Sequence, residues 1–250
     1  MSGQQDPFRY HPELRGEIVD PATSAIRSFS IEKLAKISKE IGQTEIWWHS
    51  DETRESLRRS ALNDHGDRDL WVFGYGSLMW DPAFHFAEVR RAHVAGYSRR
   101  FILKDIHGAR GTRAQPGLMA ALDLGSGCDG LAFRIAAENL EEETKIIWRR
   151  EQVGPAYISR FVDTNLSDCQ VRAVTFVADH DAEAIEADMT RSEQIRFLAT
   201  GTGFLGTSID YLRNIDSKFN ALGIEDEDVI SLLQETEAYQ RQHKATSPAR

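Results

Sequence analysis

One glutamate near the end of a predicted helix has the surroundings of a general acid/base. The spacing of apolar residues predicts a helix over residues 139–152, in which Glu151 follows Ile147 by four positions and Trp148 by three. Residues three and four apart lie on the same side of a helix, so the Glu151 carboxylate should share an apolar face with these two side chains. Burial and the negative end of the helix dipole both raise the pKa of a carboxyl group, and a raised pKa suits proton exchange near neutrality.

The arginines beside Glu151 leave a second interpretation open. Helical geometry is expected to direct Arg149 and Arg150 away from the Glu151 face, before Gly154 and Pro155 end the helix. A salt bridge between Glu151 and a nearby arginine would instead lower the pKa and give the carboxylate a structural role. The residue pattern supports the two interpretations equally.

A glycine-rich turn interrupts an apolar run and could hold an anion. The run WVFGYGSLMW, which starts at Trp71, breaks at Gly74, and Gly76 follows two positions later. Glycines at alternate positions let a backbone approach a ligand closely, successive backbone amides can form an anion-binding nest, and Ser77 adds a hydroxyl. A β-bulge or an ordinary turn is the structural alternative, and the spacing leaves both open.

The string GTGFLG, with glycines at 201, 203 and 206, matches the dinucleotide-binding pattern in its letters only. That pattern binds pyrophosphate when a strand leads into the glycines and a helix follows within a βαβ unit. Here the preceding residues, RSEQIRFLAT, have the pattern of a helix end, and the 44 residues that follow are too few for a nucleotide-binding half-domain. We therefore expect a loop. The histidines show no HExxH or similar spacing that would indicate a metal site.

The charge of the chain argues against nucleic acid or an anionic membrane surface as the main partner. The 250 residues include 39 acidic and 30 basic side chains, a net charge of −9. Residues 71–130 have the opposite sign of charge, because they include seven basic and five acidic side chains. This locally basic segment suits a small anionic ligand. No apolar run is long enough to cross a bilayer and the start shows no signal-peptide pattern, so we expect a soluble, cytoplasmic protein. The sequence does not indicate an oligomeric state.

The order of helix and strand patterns predicts an α+β fold with a mixed sheet or small barrel. Helical spacing occurs in residues 23–43, 51–63, 182–199, 208–222 and 226–243. Short β-like runs cover residues 70–75, 98–105, 118–124, 130–135, 157–162 and 171–178, and the 139–152 helix interrupts them. We expect an N-terminal arm and helical extension over 1–69, a main domain with the site over 70–243, and a tail over 244–250.

These motifs together resemble the ChaC-like glutathione-specific γ-glutamylcyclotransferases. The resemblance runs from about Trp71 to about Gln242, and its motifs in this order and spacing are highly specific. It rests on Phe73 to Trp80, Gly96 to Phe101, Arg110 to Thr112 with Gln115 to Gly117, Trp148 with Arg150, Glu151 and Tyr157, and Leu205 to Thr207 with Tyr211 and Leu212. The continuation QVGPAYI after Glu151 is closer to the bacterial branch of the family than to the animal branch.

The resemblance implies a γ-glutamylcyclotransferase-like fold, a small mixed β-barrel flanked by helices, without a metal or an organic cofactor. It implies that Glu151 is the catalytic acid/base. It further implies a set of substrate-binding residues, in which the loop holds the γ-glutamyl group and two tyrosines line the pocket: Tyr75, Gly76, Ser77, Leu78, Tyr157 and Tyr211.

The implied substrate is glutathione, and the implied reaction needs no nucleophile from the protein. The α-amine of the γ-glutamyl group attacks its own γ-carbonyl, which releases 5-oxoproline and Cys-Gly. Arg113 is a candidate partner for the glycyl carboxylate. Two alternatives stay open. The first is a cyclotransferase for another γ-glutamyl amine or dipeptide, which would not require a Cys-Gly leaving group. The second is a non-catalytic regulatory binding protein, whose biological effect would be unchanged by the substitution Glu151→Gln.

Overall fold

The structure, a computed structural model, describes residues 6–43 and 45–245. Its chain divides into two units. The first holds the described residues of Met1–Ile37, Glu45–Arg100 and Leu122–Asp179, and the second holds those of Ser38–Thr44, Phe101–Ala121 and His180–Arg250.

Along the described residues, two helices precede the main strands, one helix interrupts those strands, and three helices with a short hairpin follow them, which is the segregated order of an α+β fold. These elements are α1 (Ile31–Glu40), α2 (Asp51–Leu62), β1 (Leu70–Gly74), β2 (Glu88–His107), β3 (Thr112–Ile135), α3 (Leu140–Glu151), β4 (Tyr157–Asn165), β5 (Gln170–Ala178), α4 (Arg191–Thr200), β6 (Thr202–Gly203), β7 (Gly206–Thr207), α5 (Ser208–Leu222) and α6 (Glu227–Ala245). The predicted fold class is confirmed.

The first unit is built on a closed barrel with the strand order β1-β3-β2-β4-β5. Strand β1 pairs antiparallel with β3, from Leu70 opposite Ile135 to Gly74 opposite Leu131, and parallel with β5, which closes the barrel. Burial explains why β1 is an almost continuous apolar run, because a strand that is covered on both faces has no need of polar alternation. The predicted small mixed barrel is therefore confirmed.

Two of the strands are longer than the sequence pattern predicted. The runs over 98–105, 118–124 and 130–135 are parts of β2 and β3, which continue through residues that the pattern assigned to breaks. Within β3, Gly125 and Gly127 lie directly against the side chains of Ser98 and His93 on β2. These glycines allow a close cross-strand approach, so they belong to a strand and not to a turn.

Two predicted helices begin later than expected. The helix predicted over 23–43 is α1, Ile31–Glu40, and the one predicted over 182–199 is α4, Arg191–Thr200. The start of α4 is set by a capping box in which the Thr190 hydroxyl accepts from the Glu193 backbone N–H, and the Glu193 carboxylate accepts from that of Thr190. Among the described residues, no helix combines the length and apolar character that a bilayer crossing requires.

The predicted division into residues 1–69, 70–243 and 244–250 stays a prediction. Residues 1–5 of the arm and 246–250 of the tail lie outside the described residues.

Candidate active site

The glycine-rich turn closes directly onto the end of β1. A Cβ at Gly74 would lie 2.8 Å from the Cβ of Leu78, so the chain can fold back here only where the side chain is absent. The turn continues as a short 3-10 helix over Ser77–Met79, in which the Met79 N–H donates to the Gly76 carbonyl over 2.9 Å. The Asp81 N–H donates to the Ser77 carbonyl over 3.0 Å, which completes a compact loop.

Two of the predicted loop residues anchor the loop to the barrel with their side chains. Tyr75 and Leu78 are buried, and the Tyr75 hydroxyl donates to the Phe176 carbonyl on β5 over 2.9 Å. Arg99 of β2 donates from Nε to the Tyr75 carbonyl over 2.6 Å and from Nη2 to the Asp129 carbonyl over 2.7 Å. The half-buried polar side chain of the loop is that of Ser77.

Helix α3 has the charge distribution that its macrodipole favours and presents one buried face. Three glutamates, Glu141 to Glu143, occupy its first turn, and two arginines its last. The face with Ile146, Ile147 and Trp148 is buried, and the Trp148 ring packs edge to face on Phe176 at 5.2 Å. The helix ends at Glu151, so the predicted helix is confirmed to within one residue at each end.

The expectation that both arginines point away from Glu151 is wrong for Arg150. Its guanidinium donates from Nε to the Glu151 carboxylate over 2.7 Å and from Nη2 to the Ser77 hydroxyl over 2.9 Å. It also donates from Nη1 to the Asp81 carbonyl. The carboxylate and the loop hydroxyl are therefore held on one planar cation. Arg149 does point elsewhere, since its Nη2 donates to the Arg27 carbonyl over 2.5 Å.

Burial raises the pKa of the Glu151 carboxyl above its ordinary value of 4.5. The Arg150 guanidinium acts in the opposite direction, through its charge and its hydrogen bond, and the effect of burial is the larger of the two. Glu151 therefore forms the salt bridge of the second interpretation, but its pKa is raised, as the first interpretation expects, and not lowered.

Tyr157 is connected to the end of α3 through the residue after Glu151. It is the first residue of β4, lies opposite Ala178 of β5, and is half-buried. The Gln152 side-chain N–H donates to the Tyr157 carbonyl over 3.1 Å. The Gln152 Oε1 and Trp148 Nε1 atoms are buried and have no hydrogen-bond partner among the described residues. Buried polar atoms of this kind are usually satisfied by an ordered water or a ligand.

Two other predicted residues belong to the second unit. Tyr211 of α5 is buried there, edge to face with Phe101 at 6.5 Å and with the Arg110 guanidinium 4.9 Å from its ring centre. Arg113 is exposed near the start of β3. Their predicted contacts with substrate stay predictions.

The GTGFLG string forms a short hairpin within the second unit. It follows α4 and contains β6 and β7, with Phe204 and Leu205 in the turn. The Phe204 and Leu205 N–H groups donate to the Gly108 and Ala109 carbonyls, each over 2.8 Å. A helix leads into these glycines, so the predicted absence of a dinucleotide-binding βαβ arrangement at this string agrees with the structure.

The comparison with protein families decides the classification. Residues 70–239 match the model of the family described as "ChaC-like protein". The chain belongs to this family. The match covers the barrel strands, the loop after β1 and the whole of α3.

Curated relatives extend the similarity over most of the chain. The Escherichia coli K12 protein named glutathione-specific gamma-glutamylcyclotransferase is 34% identical over 190 residues, which cover 75% of this chain and 81% of that protein. The human glutathione-specific gamma-glutamylcyclotransferase 1 is 29% identical over 171 residues, 66% of this chain and 77% of that one. A selenomethionine crystal structure of a yeast γ-glutamyl cyclotransferase specific to glutathione has a TM-score of 0.63 at 21% identity. It covers 70% of this chain and 99% of the yeast chain, and it supports the fold.

Sequence reasoning missed three residues that hold the site together. Arg150 and Arg99 stand within the quoted motifs, yet neither was assigned a contact, and Asp81 was not singled out. Arg99 is buried and Arg150 is half-buried, and both donate to carbonyl groups of the loop. A basic residue beside an apolar motif can indicate that its side chain has a fixed hydrogen-bond acceptor. The sequence does not identify that acceptor.

Proposed function

We propose that this chain is a γ-glutamylcyclotransferase that converts glutathione to 5-oxoproline and Cys-Gly, with Glu151 as its acid/base. The names of the similar proteins support the reaction and the substrate. The observation that carries the proposal within this chain is the joint binding of Ser77 and Glu151 by the Arg150 guanidinium. This contact supports the proposal, because it brings the Glu151 carboxylate close to the loop proposed to hold the γ-glutamyl end.

The chemistry is a ring closure within the substrate. The α-ammonium first loses a proton to Glu151, and the free amine attacks the γ-carbonyl carbon. The new C–N bond closes a five-membered ring, and the old amide C–N bond breaks as the leaving nitrogen takes a proton from Glu151. Over the whole reaction the α-nitrogen loses two protons and the departing nitrogen gains two, so Glu151 carries one proton in each of two transfers and ends deprotonated, as it began. Holding the substrate in a folded conformation supplies much of the rate enhancement, because the nucleophile is already part of the molecule.

The environment of Glu151 suits this double role. A carboxyl group with a raised pKa gains and loses a proton near neutrality more readily than an exposed one. Arg150 holds the carboxylate in one orientation, which a shuttling base needs if it is to reach both nitrogens in turn. Without that contact, a side chain at the last position of a helix would sample several rotamers.

Ser77 is proposed to bind an oxygen of the substrate. Its hydroxyl oxygen accepts a hydrogen bond from Arg150, so its own proton can be donated to the α-carboxylate or to the oxyanion that forms at the γ-carbon. The backbone of Gly76 would contribute alongside it. The side chains of Tyr75 and Leu78 are turned into the core, so a contribution from these two residues would come from their backbone. Tyr157 and Tyr211 stay candidates for the pocket.

A cytoplasmic location is part of the same proposal. Reduced glutathione keeps cytosolic thiols reduced, so this compartment supplies the proposed substrate. Fractionation of the source cells, with 5-oxoproline-forming activity followed in each fraction, tests this point.

The experiment that tests the function is the release of 5-oxoproline and Cys-Gly from reduced glutathione by the purified protein. Glu151→Gln is measured beside it, with Glu138→Gln as the matched control, because Glu138 is exposed just before α3. We expect both products from the wild type and from Glu138→Gln, and about 10³-fold less from Glu151→Gln.

Free γ-glutamyl-alanine, added as a competing substrate, separates the alternatives. Equal turnover of this dipeptide would favour a cyclotransferase of broader substrate range over one for glutathione. A folded wild type that releases 5-oxoproline from neither compound would contradict the enzymatic proposal and favour a binding protein.

A further inference from the structure

A segment of the N-terminal extension holds the loop that continues from the proposed binding turn. This segment, the strap, consists of residues 19–27. It contacts the 80–83 segment at three positions. The Val19 N–H donates to the Trp80 carbonyl over 2.8 Å, and the Ser24 hydroxyl donates to the Asp81 carboxylate over 2.7 Å. Arg27 donates from Nη1 to the Ala83 carbonyl over 3.0 Å. The strap thus contacts almost every residue of this short segment.

Asp81 is the residue through which the strap reaches the site. Its side chain binds Ser24, and its backbone carbonyl accepts from Nη1 of Arg150. The other two nitrogens of that guanidinium hold Ser77 and Glu151. The Ser24 hydroxyl also accepts from the Ile26 N–H over 3.1 Å, so its proton is directed to Asp81. A continuous series of hydrogen bonds therefore joins Ser24 to the Glu151 carboxylate.

The conformation of the 80–83 segment needs support from outside. Ala83 has φ +63° and is fully buried, although a residue with a Cβ seldom adopts the left-handed region. Arg27, which binds the Ala83 carbonyl, is itself fixed by its ion pair with Glu143 of α3 at 2.7 Å. The Glu143 carboxylate in turn accepts from the His85 N–H over 2.9 Å. The strap and α3 together maintain a backbone conformation that the segment would not favour alone.

We propose that the strap is a positioning element of the active site and that Ser24 acts through Asp81 and Arg150 to orient Glu151. This inference rests on the proposed function for its catalytic consequence, and it gives the N-terminal extension a task within the reaction. Ser24 touches no reacting atom, so it is a positioning residue and not a catalytic one. Loss of its hydroxyl would loosen the Asp81 carbonyl, and Arg150 would then hold Glu151 less firmly.

Ser24→Ala tests the proposal, with Ser28→Ala as the matched control. Ser28 lies just beyond the strap, is exposed, and makes only local contacts with Ala25 and Lys33. We expect about a five-fold fall in kcat/KM on glutathione for Ser24→Ala and no change for Ser28→Ala. We also expect the acidic limb of the pH profile to move to higher pH, because Arg150 is the cation that lowers the pKa of Glu151. A loss of stability alone would not move this limb.

A direct titration makes the test independent of activity. The pKa of the Glu151 carboxyl can be followed by carbon NMR in the wild type and in Ser24→Ala, with Glu151→Gln used to assign the signal. A higher pKa in Ser24→Ala supports the strap, and unchanged titration and kinetics overturn it. An inactive wild type would contradict the proposed function, while the titration would still decide the role of the strap.

A second variant covers the case in which Ser24→Ala does not fold. Arg27→Lys keeps the charge but loses the fork that binds both Ala83 and Glu143. We expect the pKa of the Glu151 carboxyl to rise in this variant too. An unchanged Glu151 pKa in a folded Arg27→Lys protein overturns the proposal.

Discussion

Arg150 donates a hydrogen bond over 2.7 Å to the carboxylate of Glu151, the next residue along the chain. Adjacent residues on a helix point about 100° apart, and this contact is made by Glu151 as the last residue of α3. The same guanidinium binds Ser77, 73 positions earlier in the chain. The geometry of the proposed acid/base therefore depends on the loop after β1 as much as on its own helix.

Arg150→Lys should separate the charge of this residue from its geometry. A lysine ammonium cannot reproduce three donors in one plane, so the contacts with Ser77, Asp81 and Glu151 cannot all persist. We expect kcat/KM to fall about 10- to 100-fold. The control is Arg160→Lys, because Arg160 is exposed on β4. If steady-state kinetics give equal losses of kcat/KM in Arg150→Lys and Arg160→Lys, the planar guanidinium of Arg150 is not required.

The pH dependence of the wild type reports on Glu151 itself. The base must be deprotonated to accept a proton from the substrate, and burial raises its pKa above the ordinary 4.5. We therefore expect kcat/KM to fall on acidification at a pH higher than 4.5, and the fall in Arg150→Lys to occur at a still higher pH. An acidic limb at or below the ordinary glutamate value would indicate that another group limits the reaction. A profile of kcat/KM against pH in constant ionic strength decides between these outcomes.

Glu151→Gln should change stability in a way that depends on pH. A raised pKa means that the folded state favours the protonated form, so the stability that Glu151 contributes is full below pH 4.5 and is lost as the pH rises through the raised value. Glutamine carries no charge at any pH. We therefore expect Glu151→Gln to be more stable than the wild type at pH 7 and to approach it at pH 4.

Chemical denaturation at the two pH values measures this difference. Glu138→Gln, at an exposed position before the same helix, is expected to give curves that superimpose on those of the wild type at both pH values. Lower stability of Glu151→Gln at pH 7 would mean that the ion pair with Arg150 outweighs the cost of burial.

The sequence could predict the elements of the site better than the contacts between them. The apolar stripe of Ile147 and Trp148 was enough to place α3 and to put Glu151 in its last turn. The contact of Arg150 with Ser77 could not be predicted, because Ser77 lies on a loop whose return depends on Gly74 and Leu78 packing together. Local patterns describe residues within one or two turns of each other, whereas Arg150 and Ser77 are 73 positions apart.

The N-terminal extension shows the same limit. The sequence pattern predicts a helix over 23–43 that includes Ser24 and Arg27, but both residues precede α1, which begins at Ile31. In the structure, Ser24 is buried and Arg27 lies between Ala83 and Glu143. Their positions are set by partners more than 50 residues away, which no spacing rule includes. By contrast, the capping box of Thr190 and Glu193 was present in the sequence and would have corrected the start of α4.

Arg58 should be the residue of α2 on which stability depends most. It is buried, and it donates to Thr144 of α3 over 2.9 Å and to the carboxylates of Glu55 and Glu141. We expect Arg58→Met to lower the free energy of unfolding at pH 7 by about 2 kcal/mol. The control is Arg59→Met: Arg59 also pairs with Glu55, but its side chain is 73% exposed, so its loss should cost less than about 0.5 kcal/mol.

The pH dependence of the Arg58 effect has a definite sign. The Arg58 guanidinium, with a smaller contribution from Arg59, lowers the pKa of Glu55 from its ordinary 4.5 to about 2. The stability that this carboxylate contributes is therefore present above pH 4.5 and is lost as the pH falls toward 2. Unfolding curves should show a smaller difference between the wild type and Arg58→Met near pH 2 than at pH 7. A difference that does not change with pH would assign the effect to packing and to the Thr144 hydrogen bond.

Gly74→Ala should disturb the proposed binding loop from the end of β1. The added Cβ would lie 2.8 Å from the Cβ of Leu78 and 3.6 Å from the ring of Phe133, so the buried Leu78 has to move. Overpacking of this kind costs about 1–3 kcal/mol in the free energy of unfolding. The displaced turn carries Ser77, so we also expect a higher KM for glutathione. Kinetics and thermal unfolding of the same preparation test both effects, and a destabilised variant with an unchanged KM would show that substrate does not bind at this loop.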